Sequence, residues 1–143
     1  LIIVIGSSQY SHTVDNPFTT GERLTMIHNA LKEAEIPIER CWIVPVRDVH
    51  VHMLWVAEVV GYTPKFDIVY ANDPLTRRLF SEARFKVKSI PYQKRDVYSA
   101  TETRERMLEN KNWETLVPKS VAAFIKEIDG VQRLRDLTKT DKV

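Results

Sequence analysis

The chain has 143 residues, of which 43% are hydrophobic and 28% are charged, and its formal net charge is +2. These values exclude a disordered chain, which would have fewer apolar residues and a larger net charge. The near balance of 21 basic and 19 acidic side chains argues against a nucleic-acid partner, because basic residues dominate one face of nucleic-acid-binding proteins. It still allows a local basic pocket for a phosphorylated small molecule.

Cysteine usage and hydropathy indicate a cytoplasmic protein with no membrane partner. Cys41 is the single cysteine and cannot form an internal disulfide, so we expect a reducing cytoplasm. Because Cys41 opens the apolar run 41–44, we expect a buried core thiol. No apolar run approaches the ~18–20 residues of a membrane helix. The apolar run 1–5 begins without a Met, inside an expected buried strand, and we interpret the chain as part of a longer protein.

Short β-branched runs alternate with helical stretches along the chain. The apolar run 1–5 predicts a strand, and the three- and four-residue spacing of apolar side chains in 20–34 predicts a helix. The later expected strands are 41–46, 66–70 and 85–90. The later expected helices are 52–60 (ended by Gly61), 74–82, 99–110, 118–128 and 131–137.

This order of elements predicts an α/β fold, a doubly wound parallel sheet followed by helices. We expect one domain over residues 1–143, with 118–143 as a C-terminal helical part. In such sheets ligands bind at the carboxyl ends of the strands. The loops after residues 5, 46, 70 and 90 are therefore the candidate binding loops.

The first of these loops leads into a segment suited to phosphate binding. Residues 11–23 run from the first strand into the first helix and place Arg23 near the first helical turn. A guanidinium beside free backbone N–H groups favours a phosphate. The structural alternative is that Thr19 and Glu22 form a capping box and that Arg23 is simply solvated.

The segment after the fourth strand has a similar composition. Ser99 and Thr101 stand at an expected helix start, and Arg104 follows about one turn later. Together, hydroxyls, helix N–H groups and a guanidinium would hold a triphosphate. Again a capping box, Ser99-x-x-Glu102, is the alternative explanation.

Taken together, these segments resemble a known family. Ser-x-Thr-x-x-Arg at 99–104 is similar to the Ile-Ser-x-Thr-x-x-Arg motif of the nucleotidylyltransferase superfamily. An ordered set of further segments resembles the archaeal NMN adenylyltransferases within it. These segments are 5–9, 11–13, 16–19, 21–23, Trp55, 66–70, 104–108, 113–118 and 128–131.

The resemblance implies a Rossmann-like nucleotidylyltransferase fold and transfer of the adenylyl group of ATP to NMN, which gives NAD and pyrophosphate. It implies a catalytic role for Arg23 and Arg104, and Mg²⁺ or another divalent cation bound with ATP. The ATP-binding residues would be Gly6, Asn72, Ser99, Thr101 and Arg104. The NMN-binding residues would be Ser7, Arg23, Asp48 and Trp55, with the Trp55 indole stacked on the nicotinamide. The family also implies a homo-oligomer, with a hexamer as one candidate form.

One departure from the family is large. The family's Gly-Arg-Phe-x-Pro and His-x-Gly-His motifs are missing, because the four histidines are His12, His28, His50 and His52. We expect that strand, loop and helix, roughly 25 residues, to precede Leu1. Two alternatives stay open: adenylylation of another cofactor precursor such as FMN or phosphopantetheine, and a nucleotide-binding domain without catalysis.

Structural explanations are preferred for several other residues. We expect Trp42 to be a core side chain and Trp113 to hold a helix turn. His50 and His52 have no evident third ligand for zinc, and His52 stands where the family would carry Asn. A solvated basic rim is expected from Lys86, Lys88, Lys94 and Arg95.

Overall fold

The computed structural model describes residues 1–139, and its strands and helices follow the predicted order. The strands are β1 (Ile2–Ile5), β2 (Trp42–Pro45), β3 (Ile68–Tyr70) and β4 (Lys86–Lys88). The helices are α1 (Thr20–Glu33), α2 (Trp55–Tyr62), α3 (Pro74–Glu82), α4 (Ala100–Leu108), α5 (Lys119–Glu127) and α6 (Gly130–Thr138). The α/β class is confirmed.

Three helices begin at a polar side chain that caps the first turn. Thr19 forms a complete capping box with Glu22 at the start of α1. Asp73 accepts a hydrogen bond from the backbone N–H of Thr76 in α3, and this bond lowers the pKa of the Asp73 carboxyl. Ser99 accepts one from the N–H of Glu102 in α4. These local caps fix where each helix leaves its preceding loop.

The strands form two parallel pairs. β1 pairs with β2 from Ile2–Trp42 to Ile5–Pro45, and β3 pairs with β4 from Ile68–Lys86 to Tyr70–Lys88. Within residues 1–139, β1 and β3 are therefore each hydrogen-bonded to another strand along one edge only. All four of these strands run parallel within their pairs, as predicted, but in the described residues the two pairs do not join into one continuous sheet.

An apolar groove of about 810 Å³ lies between the two pairs. It is lined on one side by β1 and on the other by β3, with Trp42 and Trp55 among the further lining residues. Val4 is 36% exposed and Tyr70 is 55% exposed, although both are strand residues. The groove thus leaves apolar strand surface open that a continuous sheet would cover.

Two separate hydrophobic cores hold the fold together. One lies around Val46, Val59 and Phe80, with the rings of Phe66 and Phe85 stacked 4.9 Å apart beside them. The other joins the C-terminal helices to α1 and α4 and contains six buried residues: Met107, Trp113, Val121, Ala122, Ile125 and Leu134. Trp113 is buried where the chain turns after α4, as expected of a residue that holds a turn.

Three sequence expectations are wrong. Trp42 is 61% exposed, not core, because it lines the open groove. Cys41 is only partly buried, and it lies just before β2. Gly61 does not end α2, which continues to Tyr62.

The expected basic rim is present, since Lys86, Lys88, Lys94 and Arg95 are exposed. Among the described helices, none has both the length and the apolar character that a membrane crossing requires.

Candidate functional site

The loop after β1 is tied to the loop after β2 by one carboxylate. Asp48 accepts a hydrogen bond from the backbone N–H of Ser7 at 3.0 Å and one from its hydroxyl at 2.5 Å. Gln9 also brackets the Asp48 backbone, accepting from its N–H at 3.0 Å and donating to its carbonyl at 3.3 Å. Ser7 has a φ of 50°, so the loop turns through the left-handed region. The structure therefore brings together Ser7 and Asp48, which were predicted to act at the same end of a substrate.

The guanidinium of Arg23 lies inside the same loop. It donates to the carbonyl oxygens of Gly6 at 3.1 Å, Ser7 at 3.0 Å and Tyr10 at 3.2 Å. It also donates to the hydroxyl of Thr20 at 3.2 Å. Its Nε is buried and has no hydrogen-bond partner within residues 1–139. Arg23 is thus a brace for the loop, and its predicted contact with a substrate phosphate stays a prediction.

The capping box of α1 is joined to the C-terminal helix. The Glu22 carboxylate accepts from the backbone N–H of Thr19 at 2.8 Å and from both terminal nitrogens of Arg133 at 2.6 and 2.8 Å. The hydrogen bonds from Arg133 are the main reason that the pKa of Glu22 falls to about 2. The same bonds raise the pKa of Arg133. Glu22 is therefore a fixed anion at neutral pH.

Helix α4 presents the second predicted phosphate segment. Ser99 caps the helix, so its hydroxyl accepts from the N–H of Glu102 at 3.1 Å. Glu102 turns away from Ser99 and pairs with Arg106 at 2.7 Å, so the reciprocal half of a capping box is not formed there. Thr101 is exposed. Arg104 is 20% exposed and lies 3.8 Å from the exposed carboxylate of Asp15, which brings α4 next to the loop of residues 11–18.

A pocket of about 410 Å³ is lined by two of the residues predicted to bind NMN, Asp48 and Trp55. Its lining includes Asp48, His52 and Trp55, with Tyr10 on one wall and three residues of α3 (Leu75, Thr76 and Leu79) on another. Trp55 is the first residue of α2 and borders both this pocket and the apolar groove. The Trp55 indole and the Asp48 carboxylate thus line the same small pocket.

Asn72 follows β3, where the adenosine end was predicted. Its side-chain amide donates to the carbonyl of Ile90 at 2.7 Å, and its amide oxygen accepts from the N–H of Ile90 at 2.9 Å. Asn72 therefore joins the loops after β3 and β4. Its proposed contact with ATP would have to use its remaining hydrogen-bonding capacity.

Comparison with known proteins adds the family. Residues 1–106 match the model of the cytidylyltransferase-like family. The nicotinamide-nucleotide adenylyltransferase of Archaeoglobus fulgidus is 50% identical over 99% of the chain and 83% of that protein. The enzymes of Thermoplasma volcanium and Saccharolobus solfataricus are 46% and 48% identical over 99% of the chain and 79% and 83% of those proteins.

The chain belongs to the nicotinamide-nucleotide adenylyltransferase family. A solved structure with a similar fold is that of the bifunctional NMN adenylyltransferase/ADP ribose pyrophosphatase of Francisella tularensis, with a TM-score of 0.72 at 19% identity. That match covers 94% of the chain and 44% of the larger protein, so it concerns one part of a bifunctional protein and shows the fold.

Several residues that shape the candidate site of this chain were not identified from its sequence. Gln9 contacts Asp48, Tyr10 contacts Arg23, and Arg133 contacts Glu22, the neighbour of Arg23. Arg77 braces the loop after β3 by donating to the carbonyl of Ala71 at 2.9 Å. Arg77 holds the same place in α3 that Arg23 holds in α1, four residues after the cap. That shared spacing was a usable signal, because a fourth-position arginine can reach back over its own loop.

The donor set of the site bears on the divalent cation. Among residues 1–139, no group of three or more His, Cys, Asp or Glu side chains is arranged to hold a metal ion. A divalent cation that accompanies a nucleotide is commonly held by phosphate oxygens, water and one or two carboxylates.

Proposed function

We propose that the chain transfers the adenylyl group of ATP to NMN, giving NAD and pyrophosphate. One observation carries this proposal. Over 99% of the chain, half of the aligned residues are identical to those of the Archaeoglobus nicotinamide-nucleotide adenylyltransferase. The relatives carry little sequence beyond the matched part, since the match covers 83% of the Archaeoglobus protein. The residues assigned below therefore lie in the part that these relatives share.

The small pocket supports the assignment of the NMN end. The nicotinamide ring of NMN is a pyridinium cation, and an indole face attracts such a cation by ~0.5–2 kcal/mol. Trp55 supplies that face beside Asp48, whose carboxylate is fixed by Ser7. We assign Ser7, Asp48, Trp55 and Arg23 to NMN binding, with Arg23 acting through the loop that it braces as well as through its charge.

The ATP end is assigned to α4 and to residues at the carboxyl ends of β1 and β3. Arg104 would hold the triphosphate with Ser99 and Thr101, because a guanidinium near a helix N-terminus adds a planar fork of donors to the helix dipole. Gly6 follows β1 and Asn72 lies two residues after β3, so each lies at the carboxyl end of its strand. Asp15, paired weakly with Arg104 at 3.8 Å, would be displaced by a phosphate.

The chemistry proposed is in-line attack of an NMN phosphate oxygen on the α-phosphorus of ATP, with pyrophosphate leaving. Positioning and charge neutralisation supply most of the catalysis in such transfers. Arg104 and Arg23 are assigned the catalytic role of screening repulsion between the two anionic substrates. A divalent cation, which we assign as Mg²⁺, would neutralise phosphate charge.

The split sheet supports a further part of the proposal. Within residues 1–139, β1 and β3 each have one edge that is not hydrogen-bonded to another strand, and both strands line the groove. Such an edge can pair with a further strand. We assign that place to a fifth strand in a segment outside residues 1–143, which would also carry the histidines expected to contact the ATP phosphates. Residues 1–143 would then be one domain, with 118–143 as its C-terminal helical part. Assembly as a homo-oligomer and a cytoplasmic location stay predictions.

The test is a direct assay of the full-length protein. Incubation with NMN, ATP and Mg²⁺ should produce NAD and pyrophosphate in equal amounts, and chelation of the cation should stop the reaction. FMN and phosphopantetheine are the matched alternative acceptors. Adenylylation of either one in preference to NMN would overturn the NMN assignment, and nucleotide binding without any transfer would overturn the enzymatic one.

A further inference from the structure

Helix α6 contacts the first segment assigned to phosphate binding and the end of α4, the helix that carries the second segment. Arg133 donates to the Glu22 carboxylate at 2.6 and 2.8 Å and to the carbonyl of Pro17 at 3.3 Å. Arg135, two residues later, donates to the carbonyl of Met107 at 3.1 Å and to the side chain of Asn110. One short helix therefore joins the entry to α1 with the end of α4.

The contact of Arg133 is well placed to control the loop before α1. Glu22 accepts from Thr19 as well as from Arg133, so the ion pair and the helix cap share one carboxylate. The two side chains of the pair are only 18% and 22% exposed, which limits screening by solvent. The next residue, Arg23, holds the loop after β1. A chain of direct contacts thus runs from α6 to the candidate NMN site.

Close packing reinforces these polar contacts. A side chain at Gly130, the first residue of α6, would place its Cβ 2.7 Å from the ring of Phe18. Leu134 is fully buried in the core cluster that also contains Met107 of α4. The apolar face of α6 therefore presses on the loop before α1 and on α4 at the same time.

We propose that α6 is a brace that sets the separation of Arg23 from Arg104, and that Arg133 and Arg135 are positioning residues for the transfer. The catalytic consequence rests on the proposed function. Arg23 and Arg104 are each assigned to one anionic substrate, so their separation sets the distance between the reacting phosphates. A displacement of ~1 Å of a reacting group can cost ~100-fold in rate. The cytidylyltransferase-like match ends at residue 106, so the brace lies outside the part that matches that family model.

The first measurement is amide hydrogen exchange in the full-length protein without substrates. Arg133→Lys keeps the charge but loses the bidentate fork. It should speed exchange in residues 11–19 about tenfold, the effect of ~1.4 kcal/mol of lost local stability, while leaving 99–108 unchanged. Arg135→Gln should speed exchange in residues 99–108 and leave residues 11–19 unchanged. Arg78→Gln, which breaks an exposed ion pair with Glu82 on α3, is the matched control and should change neither segment.

The second measurement is steady-state transfer kinetics of the same variants. Arg133→Lys and Arg135→Gln should each lower kcat/KM at least about fivefold, and Arg133→Gln should be worse than Arg133→Lys. Exchange that rises evenly over the whole chain would show a loss of global stability only and would overturn the brace. Wild-type kinetics in both variants would also overturn it. A wild-type protein that makes no NAD, with segment-specific exchange intact, would instead refute the proposed function and leave the brace in place.

Discussion

The guanidinium of Arg104 lies 3.8 Å from the carboxylate of Asp15, and the two residues are 20% and 89% exposed. A long ion pair with one fully solvated partner contributes little stability. Arg104 is therefore held in place near the loop of residues 11–18 but remains available to a stronger anion. A triphosphate is such an anion, because it can accept the whole fork of guanidinium donors.

Replacement of Arg104 tests this availability. Arg104→Lys should lower kcat/KM at least about tenfold, or ~1.4 kcal/mol of transition-state stabilisation, since a point charge cannot replace the fork. Asp15→Asn removes the competing carboxylate and should leave the KM for ATP equal or lower. Steady-state kinetics at varied ATP measures both. Unchanged kinetics in Arg104→Lys and Arg104→Ala would mean that this end of α4 only caps and packs.

Trp55→Phe separates a stacking role from a packing role. A phenyl face retains part of the attraction for a pyridinium, so NMN affinity should fall about two- to thirtyfold while ATP affinity stays nearly constant. Calorimetric titration of each substrate into wild type and variant measures this difference. Trp42→Phe is the control, because Trp42 is exposed and lies outside the small pocket. Equal NMN affinity with a lowered melting temperature would assign Trp55 to packing alone.

The Glu22–Arg133 pair predicts how stability depends on pH. The pKa of Glu22 is lowered from 4.5 to about 2 in the folded chain. The ionised Glu22 carboxylate therefore adds to the free energy of unfolding above pH 4.5, and this contribution is lost as the pH falls from about 4.5 towards 2. It amounts to about 1–2 kcal/mol after allowance for solvent screening.

Urea unfolding of wild type and Glu22→Gln measures this contribution. The difference between their free energies of unfolding should be constant between pH 6 and pH 7 and should shrink below about pH 4.5. Comparing the two proteins at each pH removes the effect of the other carboxyls with lowered pKa values, Glu33, Asp73 and Asp136. A difference that is independent of pH down to about pH 2.5 would contradict the coupling of Glu22 to Arg133.

Two glycines provide a matched test of packing around α6. Gly130→Ala would press a methyl group against Phe18 at 2.7 Å and Ile125 at 3.0 Å, so it should destabilise the protein by ~1–3 kcal/mol. Gly61→Ala has no atom within 4 Å of the new methyl group and lies in α2, so it should be neutral or stabilising by up to ~1 kcal/mol. Thermal unfolding of both variants gives the answer. Equal melting temperatures would mean that α6 does not pack tightly on the loop.

The sequence by itself determined the parts of the molecule that depend on near neighbours. The starts of α1, α3 and α4 follow from Thr19, Asp73 and Ser99, because a capping side chain bonds an N–H only three residues later. The parallel strands follow from the apolar runs, and the ordered motifs pointed to the family. The grouping of Asp48 with Trp55 was also expected, because both follow the second strand.

Only the tertiary structure decided the contacts between distant residues. Arg133 reaches Glu22 across 111 positions of sequence, and no local pattern could identify that partner. Trp42 looked like a core residue because strand alternation shows which residues share a face but not whether that face is covered. Likewise, the residues around Arg23 in the sequence were compatible with an arginine that binds a phosphate and with one that braces its own loop. The carbonyls of Gly6, Ser7 and Tyr10 took the guanidinium because the turn after β1 wraps around it and leaves those oxygens facing inward.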